Sequence, residues 1–533
     1  MMTNNQQTKI LERRIFQAMK KTVAVIGSIC VVVALIALPI ASCAEPTPTG
    51  GILKISHQAA AVTLGDPLPM SRADDLFKAG PAIETLIHYD EVGAPMPWLA
   101  TSWEVDAEAK TIVLHLREGV KFHDGSDFNA EVVKWNFERY MATGRAELRT
   151  VESVDVIDDH TVRINLSSYD SLIITNLGIY PGMMISKESF ETYGEEWAGM
   201  NPVGTGPFKF VSWEKDVSVK FEKFDDYWQE GKPYLDAIEF HIIGDPLVRM
   251  AAFQAGEEDI VMGLDPKDAR YLEEKGEYVI RFLGSGMHLM SGDAMIPGSP
   301  YADIKVRQAI EYAIDKQALC EVFGYGYWTP LNRGMARPGG WADNTDVVGY
   351  PYNPEKAREL LAEAGYPDGF KTTLFTRVAP IWNQNFMTAV AGFFIDVGID
   401  TEVEPCERGR ENIAAVKGGW EDGIWNWTMG LYAPDELMTI NRLMARGGIL
   451  FVSKYVAPEF QDVLEEAVAA PDFETKARLT RELQYLMVDK YAMVTWLNQT
   501  GTPSARYPEI HDEGISIGPG SVHWTPEDAW IDE

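Results

Sequence analysis

The chain is short of cysteine, histidine and positive charge. Its 533 residues hold four Cys and nine His, and 47 Lys plus Arg stand against 79 Asp plus Glu, for a formal net charge of −32. Four cysteines are too few to staple a scaffold of this size, so the fold must rest on apolar cores. The histidines are scattered without paired ligand spacing, which argues against a protein-built zinc centre. A deficit of cations removes the basic face that phosphate neutralisation needs, so nucleic acid is not an expected partner. Docking on an anionic membrane surface is disfavoured for the same reason. No His-Glu-x-x-His and no Gly-x-x-x-x-Gly-Lys-Ser/Thr occurs. The nearest glycine-rich loop, Gly204-Thr205-Gly206-Pro207-Phe208, has proline where a phosphate cradle needs an amide donor and reads as a tight connector. His123, in Lys121-Phe122-His123-Asp124-Gly125, reads as a turn residue rather than a general base.

What is present is a globular composition with an address in front of it. The hydrophobic share is 46% and the charged share 24%, and the length suggests roughly two to four domains. Residues 1–42 have the make-up of an export signal. A basic stretch (Lys9, Arg13, Arg14, Lys20, Lys21) precedes an apolar run from Val23 to Leu38, and Ile40-Ala41-Ser42 leads to Cys43. That ending resembles a bacterial lipobox, in which a peptidase cuts before a cysteine that carries lipid; several acyl chains on Cys43 make a stable anchor. The other reading is an uncleaved single-span helix, since about 17 apolar residues can just cross a bilayer. Residues 43–51 then form a Pro/Thr tether. Removing 1–42 takes away five basic side chains and one acidic one, leaving 42 against 78 and a net charge of −36. Of the cysteines in the body, Cys320 and Cys406 can pair in an oxidising compartment, but sequence does not show that they do.

Strand and helix patterns alternate through the body. Ile52–Ile55, Thr111–Leu116 and Thr161–Leu166 alternate with period two and read as strands. Asn353 is placed to cap a helix with Pro354 at its first position and Gly365 just past its end. Helical stripes are formed by Val306, Ile310, Ala313 and Ile314 after Asp303, by Phe386, Val390, Phe393, Phe394 and Val397, and by Leu479, Leu483, Leu486 and Met487. A mixed α/β fold with several sheets follows, and one closed barrel does not fit this length.

Six blocks then carry a resemblance. They are Glu84-Thr85-Leu86-Ile87 with Pro97-Trp98-Leu99-Ala100-Thr101-Ser102-Trp103-Glu104-Val105; Leu116-Arg117-Glu118-Gly119-Val120-Lys121-Phe122-His123-Asp124-Gly125; Val203–Phe208 with Asp226-Tyr227-Trp228; Val306-Arg307-Gln308-Ala309-Ile310 with Ala313-Ile314-Asp315; Tyr352-Asn353-Pro354-Glu355-Lys356-Ala357; and Leu360–Tyr366. Across residues 51–500 the chain resembles the family 5 extracellular solute-binding proteins of ABC importers. The resemblance implies an α/β, bilobed, periplasmic-binding-protein-like fold of type II, cluster C, with an extra domain. It places 52–64, 200–290 and 486–533 in the first lobe, 65–199 in the extra domain and 291–485 in the second lobe. The implied function is a lipid-anchored receptor at the cell envelope, on the outer face of the cytoplasmic membrane or in the periplasm. It captures a peptide-like or other small solute between its lobes and delivers it to a membrane permease, with no catalysis, no cofactor, no metal, and a monomeric chain. A receptor for an oligosaccharide, aromatic compound or metal chelate is the alternative, and a secreted enzyme or a purely signalling receptor a more distant one.

In peptide-binding relatives a late loop carries a Trp and, three residues later, an Asp that pairs with the peptide ammonium. Aligning Pro434 puts Trp427 on the Trp and Gly430 on the Asp position. Glycine offers no counter-charge, and a buried ammonium left unpaired costs several kcal/mol. Asp435, or Glu421 and Asp422, can substitute only if the loop shifts. The candidate ligand-binding residues are Trp427, Met429, Gly430, Leu431, Tyr432, Trp425 and Trp382, with core packing the better account of Trp420 and Trp425. Indole faces stack on flat groups, so the expected solute is neutral or acidic with a flat or ring-bearing body.

Overall fold

Strands form where polar and apolar residues alternate, and three sheets organise them. The computed structural model describes residues 50–532, save for 71–72, 91–92, 283, 285, 337, 379–380, 408, 411–419, 421–422, 431–434, 447–452 and 516–523. The export signal and Cys43 therefore lie outside the described residues. The expected strands appear as Ile52–His57, Thr111–Leu116 and Thr161–Leu166, with Ile112, Leu114 and Leu116 buried on one face of the second. The expected helices appear as Ile304–Ala313, Pro354–Glu363, Ile381–Asp396 and Phe473–Tyr485. Asn353 caps the second of these by accepting from the Lys356 N–H at 2.9 Å.

A seven-stranded sheet runs, edge to edge, through Val279–Phe282, Pro503–Arg506, Ile260–Val261, Ile52–His57, Ala237–Ile242, Ser218–Lys223 and Phe208–Glu214. A six-stranded sheet runs through Thr329–Pro330, Thr495–Thr500, Gly286–Gly292, Ile424–Gly430, Phe370–Arg377 and Ile399–Cys406. The chain passes between these sheets twice, after Phe282 and after Thr500. Phe282 lies opposite Pro503 in the first sheet and Gly286 opposite Thr500 in the second, so both passages leave from paired neighbouring strands. Gln499 Nε2 donates to Gly284 O at 2.9 Å. A Cβ on Gly284 would sit 2.2 Å from that nitrogen, so a larger residue there would displace the Gln499 amide and break this bond. The second sheet extends past both ends of the expected 291–485: Gly286–Gly292 and Thr495–Thr500 hydrogen-bond to each other within it, so the stretch after 485 returns to the first lobe only beyond Thr500.

In the chain between Ile52–His57 and Phe208–Glu214 comes a four-stranded antiparallel sheet, Ala100–Asp106, Thr111–Leu116, Thr161–Leu166 and Val151–Asp158. It shares one apolar core with the seven-stranded sheet, in which Leu53, Ile55 and Phe240 join Leu114, Phe137 and Ile164. The six-stranded sheet is instead covered on both faces. Leu289 packs with Trp425 and Trp496 on one side, and its neighbour Met290 with Ile310 and Phe386 on the other. No disulfide joins Cys320 and Cys406: both are buried, and they sit in the cores on opposite faces of this sheet.

The blocks that carry the family resemblance are the joints of this frame. The buried Glu84 carboxylate accepts from Trp98 Nε1, Thr205 Oγ1 and Tyr227 OH, each at 2.8 Å, and from Trp228 Nε1 at 3.0 Å. Arg117 lies 4.1 Å over the Trp228 ring. The Gly204–Phe208 loop is a close approach between backbones. A Cβ at Gly204 would come 2.1 Å from Ala82 O, and His123 Nε2 meets Gly206 O at 2.9 Å. In the other lobe, buried Arg307 donates to Tyr301 O, Ala302 O, Tyr491 O and Ala492 O, fastening its helix to the last turn before Thr495–Thr500.

Two of these buried acids tie stability to pH. Burial pushes Glu84 up to about 7, against four donors that pull it down, and pushes Glu527 up to about 8. Glu527 Oε2 has no hydrogen-bond partner among the described residues. The folded chain thus keeps a proton that the unfolded chain releases near the ordinary value, so this contribution is full in acid and is lost as pH rises through about 8. Glu527→Gln holds the neutral form permanently. Its unfolding free energy in urea is expected to fall between pH 5 and pH 8 by about 1–3 kcal/mol less than that of the parent chain; identical slopes would contradict the burial account.

Candidate solute-binding crevice

Ligands of open α/β sheets gather outside the carboxyl ends of the parallel strands. In the six-stranded sheet Phe370–Arg377, Ile399–Cys406 and Ile424–Gly430 run parallel and end at Arg377, Cys406 and Gly430. In the seven-stranded sheet Ile52–His57, Ala237–Ile242 and Ile260–Val261 run parallel and end at His57, Ile242 and Val261. Both sets of ends adjoin the passages between sheets: Gly430 lies opposite Gly286, and Leu264 N–H donates to Pro503 O at 2.9 Å. The candidate crevice is bounded by these two rims.

The first rim is apolar and exposed at its tips. Val62 is 67% exposed, and Leu247 and Val248, at the start of helix Pro246–Gln254, are 78% and 57% exposed. Their backbone is held by Asp245, which accepts from both Leu247 N–H and Val248 N–H. Buried Arg249 ties two rim loops together by donating to Ile243 O at 2.6 Å and Gly263 O at 3.1 Å. Beneath them His57 Nδ1 is 3.2 Å from Lys78 Nζ. Burial, with the Lys78 charge, holds that imidazole down at about 4.

The second rim carries the aromatic residues. Trp427 is buried at 9% exposure with the Arg377 guanidinium 5.1 Å over its ring. Trp425 is also buried, stacked on Phe375 at 4.9 Å and 16°, which makes it a core residue. Met429 continues the strand opposite Met287, and Gly430 ends it exposed and without a side chain to offer. Leu431 and Tyr432 lie outside the described residues. Trp382 stands on the other side of the sheet, 5.0 Å from Trp328 and edge-on to His288 at 5.9 Å. The structure therefore separates Trp382 from Trp427 by the thickness of the sheet. Trp420 is buried, as core packing requires.

Between these aromatics lies a polar layer that the sequence did not signal by any motif. His288 Nε2 accepts from Asn426 Nδ2 at 2.6 Å, and the same amide donates to Asn383 Oδ1 at 3.1 Å. The one available sign was Asn426 itself, a polar residue at an inward position between two tryptophans of a strand buried on both faces. Burial pulls His288 down to about 3, with the Arg377 charge acting in the same direction. Burial favours the uncharged imidazole. Among the described residues no group of three His, Cys, Asp or Glu side chains is placed to hold a metal ion. One Gly-x-Ser-x-Gly string exists, Gly514-Ile515-Ser516-Ile517-Gly518. It follows the two-residue strand Ile510–His511, and its Ser516 lies outside the described residues.

With this geometry in view, the comparisons decide the family. The model of bacterial extracellular solute-binding proteins, family 5 Middle, matches residues 94–446. The chain belongs to that family. Its members bind solutes for ABC importers and are not enzymes. The chain is 35% identical over 325 residues to the glutathione-binding protein GsiB of Pectobacterium atrosepticum, a match spanning 60% of this chain and 62% of that protein. It is 29% identical over 429 residues to heme-binding protein A of Haemophilus influenzae, covering 73% of this chain and 76% of the relative. Among solved structures, HbpA2 from Haemophilus parasuis superposes with a TM-score of 0.80 at 22% identity, over 91% of this chain and 100% of that one. The periplasmic binding protein DppA from Helicobacter pylori, in complex with peptide STSA, gives 0.72 at 23% identity over 91% and 99%. These neighbours share the bilobed α/β fold.

His288 yields a test of the polar layer. Its proton is excluded in the folded chain but taken up near 6.5 in the unfolded one, so stability is present above that value and is lost on acidification. His288→Gln keeps an acceptor for Asn426 and cannot be protonated. Between pH 7 and pH 5 it is expected to lose about 2 kcal/mol less unfolding free energy than the parent chain, measured by chemical denaturation at each pH. An equal loss would show that the ring is solvated.

Proposed function

We propose that this chain is the lipid-anchored receptor of an ABC importer, which encloses a small neutral or acidic solute with a flat or ring-bearing body between its two lobes and presents it to the membrane permease. Cys43 is the lipid site, the body acts as a monomer at the outer face of the cytoplasmic membrane or in the periplasm, and the lobes divide at the two passages after Phe282 and Thr500. The observation that carries the solute class is the exposed end of Ile424–Gly430: Gly430 stands where a peptide receptor needs a carboxylate, while Trp427 carries the Arg377 cation over its face. A cation beside an indole suits an acidic, planar guest, and a rim lacking the carboxylate does not suit a free ammonium. One relative is named for heme, a planar solute that carries carboxylates, and another for glutathione, which carries carboxylates together with a free ammonium. Closure follows from linkage, because a guest that touches both rims stabilises the closed form by its differential affinity for it.

Native mass spectrometry of the purified chain identifies any copurifying solute directly. Thermal-shift screening then ranks heme, reduced glutathione, aromatic acids and unmodified peptides; a guest at a hundred times its Kd adds about 2.7 kcal/mol of stability. Stabilisation by acidic or ring-bearing solutes is expected. Stabilisation by free-amino peptides, reduced glutathione included, with none by heme or aromatic acids would overturn the solute class and leave the family untouched. Cys43→Ser is expected to release the chain from the membrane fraction.

A further inference from the structure

Away from the two passages, a further junction joins the two bodies. The short helix Leu172–Asn176 belongs to the 65–199 segment, and its Ile173 and Ile174 pack in the core shared with the seven-stranded sheet. Leu172 and Ile179, by contrast, are buried among Leu437, Leu464 and Leu483 of the other lobe. Ser171 N–H donates to Val468 O at 2.8 Å and Ser171 Oγ to Ala467 O at 3.3 Å. Those are carbonyls of the last turn of helix Pro458–Val468, of which Ala467 O also accepts from Ala470 N–H at 3.2 Å. Thr175 Oγ1 donates to Asp435, which is paired with Lys476, and Lys476 Nζ lies 3.3 Å from Thr175 Oγ1. All three are at least nine-tenths buried.

This junction is made to separate. A cavity of about 80 Å³ opens beside it, between Tyr89, Trp103 and Tyr169 on one side and Pro471 and Phe473 on the other, whereas a permanent core fills such gaps. Asp435 and Lys476 both belong to the six-stranded lobe. Parting the bodies therefore hydrates their ion pair without breaking it, and forfeits the Thr175 bond, the Ser171 bonds and the burial of Leu172 and Ile179. An ion pair that must be stripped of water, yet never split, makes a reversible contact.

We propose that Ser171, Leu172 and Thr175 form a closure latch: positioning residues that set solute affinity by holding the 65–199 segment against the six-stranded lobe, without touching the solute. The proposal rests on the solute-binding reading above. The latch holds a measurable share of the solute-free protein closed.

Single-molecule energy transfer tests this, with fluorophores attached through unnatural amino acids at positions 193 and 348, one exposed site on each body. No solute is added. The parent chain and Thr175→Ser, which keeps the hydroxyl, are expected to show the same high-transfer population. Thr175→Asp sets a second carboxylate against Asp435 and is expected to deplete that population at least tenfold. Should Thr175→Asp fail to fold, Ser171→Ala combined with Thr175→Val replaces it, with at least a threefold depletion expected. Coincident distributions in the parent, Ser and Asp chains, or a loss in Thr175→Ser equal to that in Thr175→Asp, would overturn the latch. Failure of the solute reading leaves the three distributions as expected, so the two failures are told apart.

Discussion

The structure depends on one constraint of connectivity. Two large sheets, each with its own core, are joined by chain only after Phe282 and after Thr500, from strands that pair with each other on both sides. Neighbouring passages act as one hinge, since a rotation about them need not break either sheet. Everything that could serve as a binding surface follows from it, because the carboxyl ends of the parallel strands in both sheets come out beside the same hinge. At that place Gln499 reaches back to the Gly284 carbonyl and ties the two passages together.

The residues that reveal the family and the residues proposed to meet a solute are different sets. Trp98, Thr205, Tyr227 and Trp228 converge on the buried Glu84 carboxylate with Arg117 over the Trp228 ring, and Arg307 holds four backbone carbonyls and lies over the Tyr455 ring. They fix the frame, so a match to them establishes fold and mode of action while leaving the guest open. The rims are built instead from strand ends and loops such as Asp245–Val248 and Trp427–Gly430, whose side chains can change without disturbing the frame. That separation is how one frame accompanies names as different as glutathione, heme and peptide among the relatives and neighbours.

Local features were legible in the sequence because their physics is local. Alternation gave Thr111–Leu116, and Asn353 with Pro354 gave the start of its helix, since a cap and its partner lie three residues apart. The lobe boundary after 485 was misplaced because strand Thr495–Thr500 is assigned by its partner Gly286–Gly292, about two hundred residues away, and not by its own pattern. The His288–Asn426 layer and the Thr175–Asp435 contact were hidden for the same reason: their partners are 138 and 260 residues apart. Among the tryptophans, Trp382 and Trp427 looked equivalent in one dimension. Which face of a sheet a residue occupies depends on parity along the strand and on which helix covers it, and here the sheet parts them.

Enclosure of a guest by two hinged bodies is the central claim, and small-angle X-ray scattering on the solute-free chain and on the same chain saturated with its copurifying solute tests it most directly. A smaller radius of gyration in the saturated sample is the expected result. Superimposable curves at proven saturation would mean that the guest binds without closure, and would contradict the account.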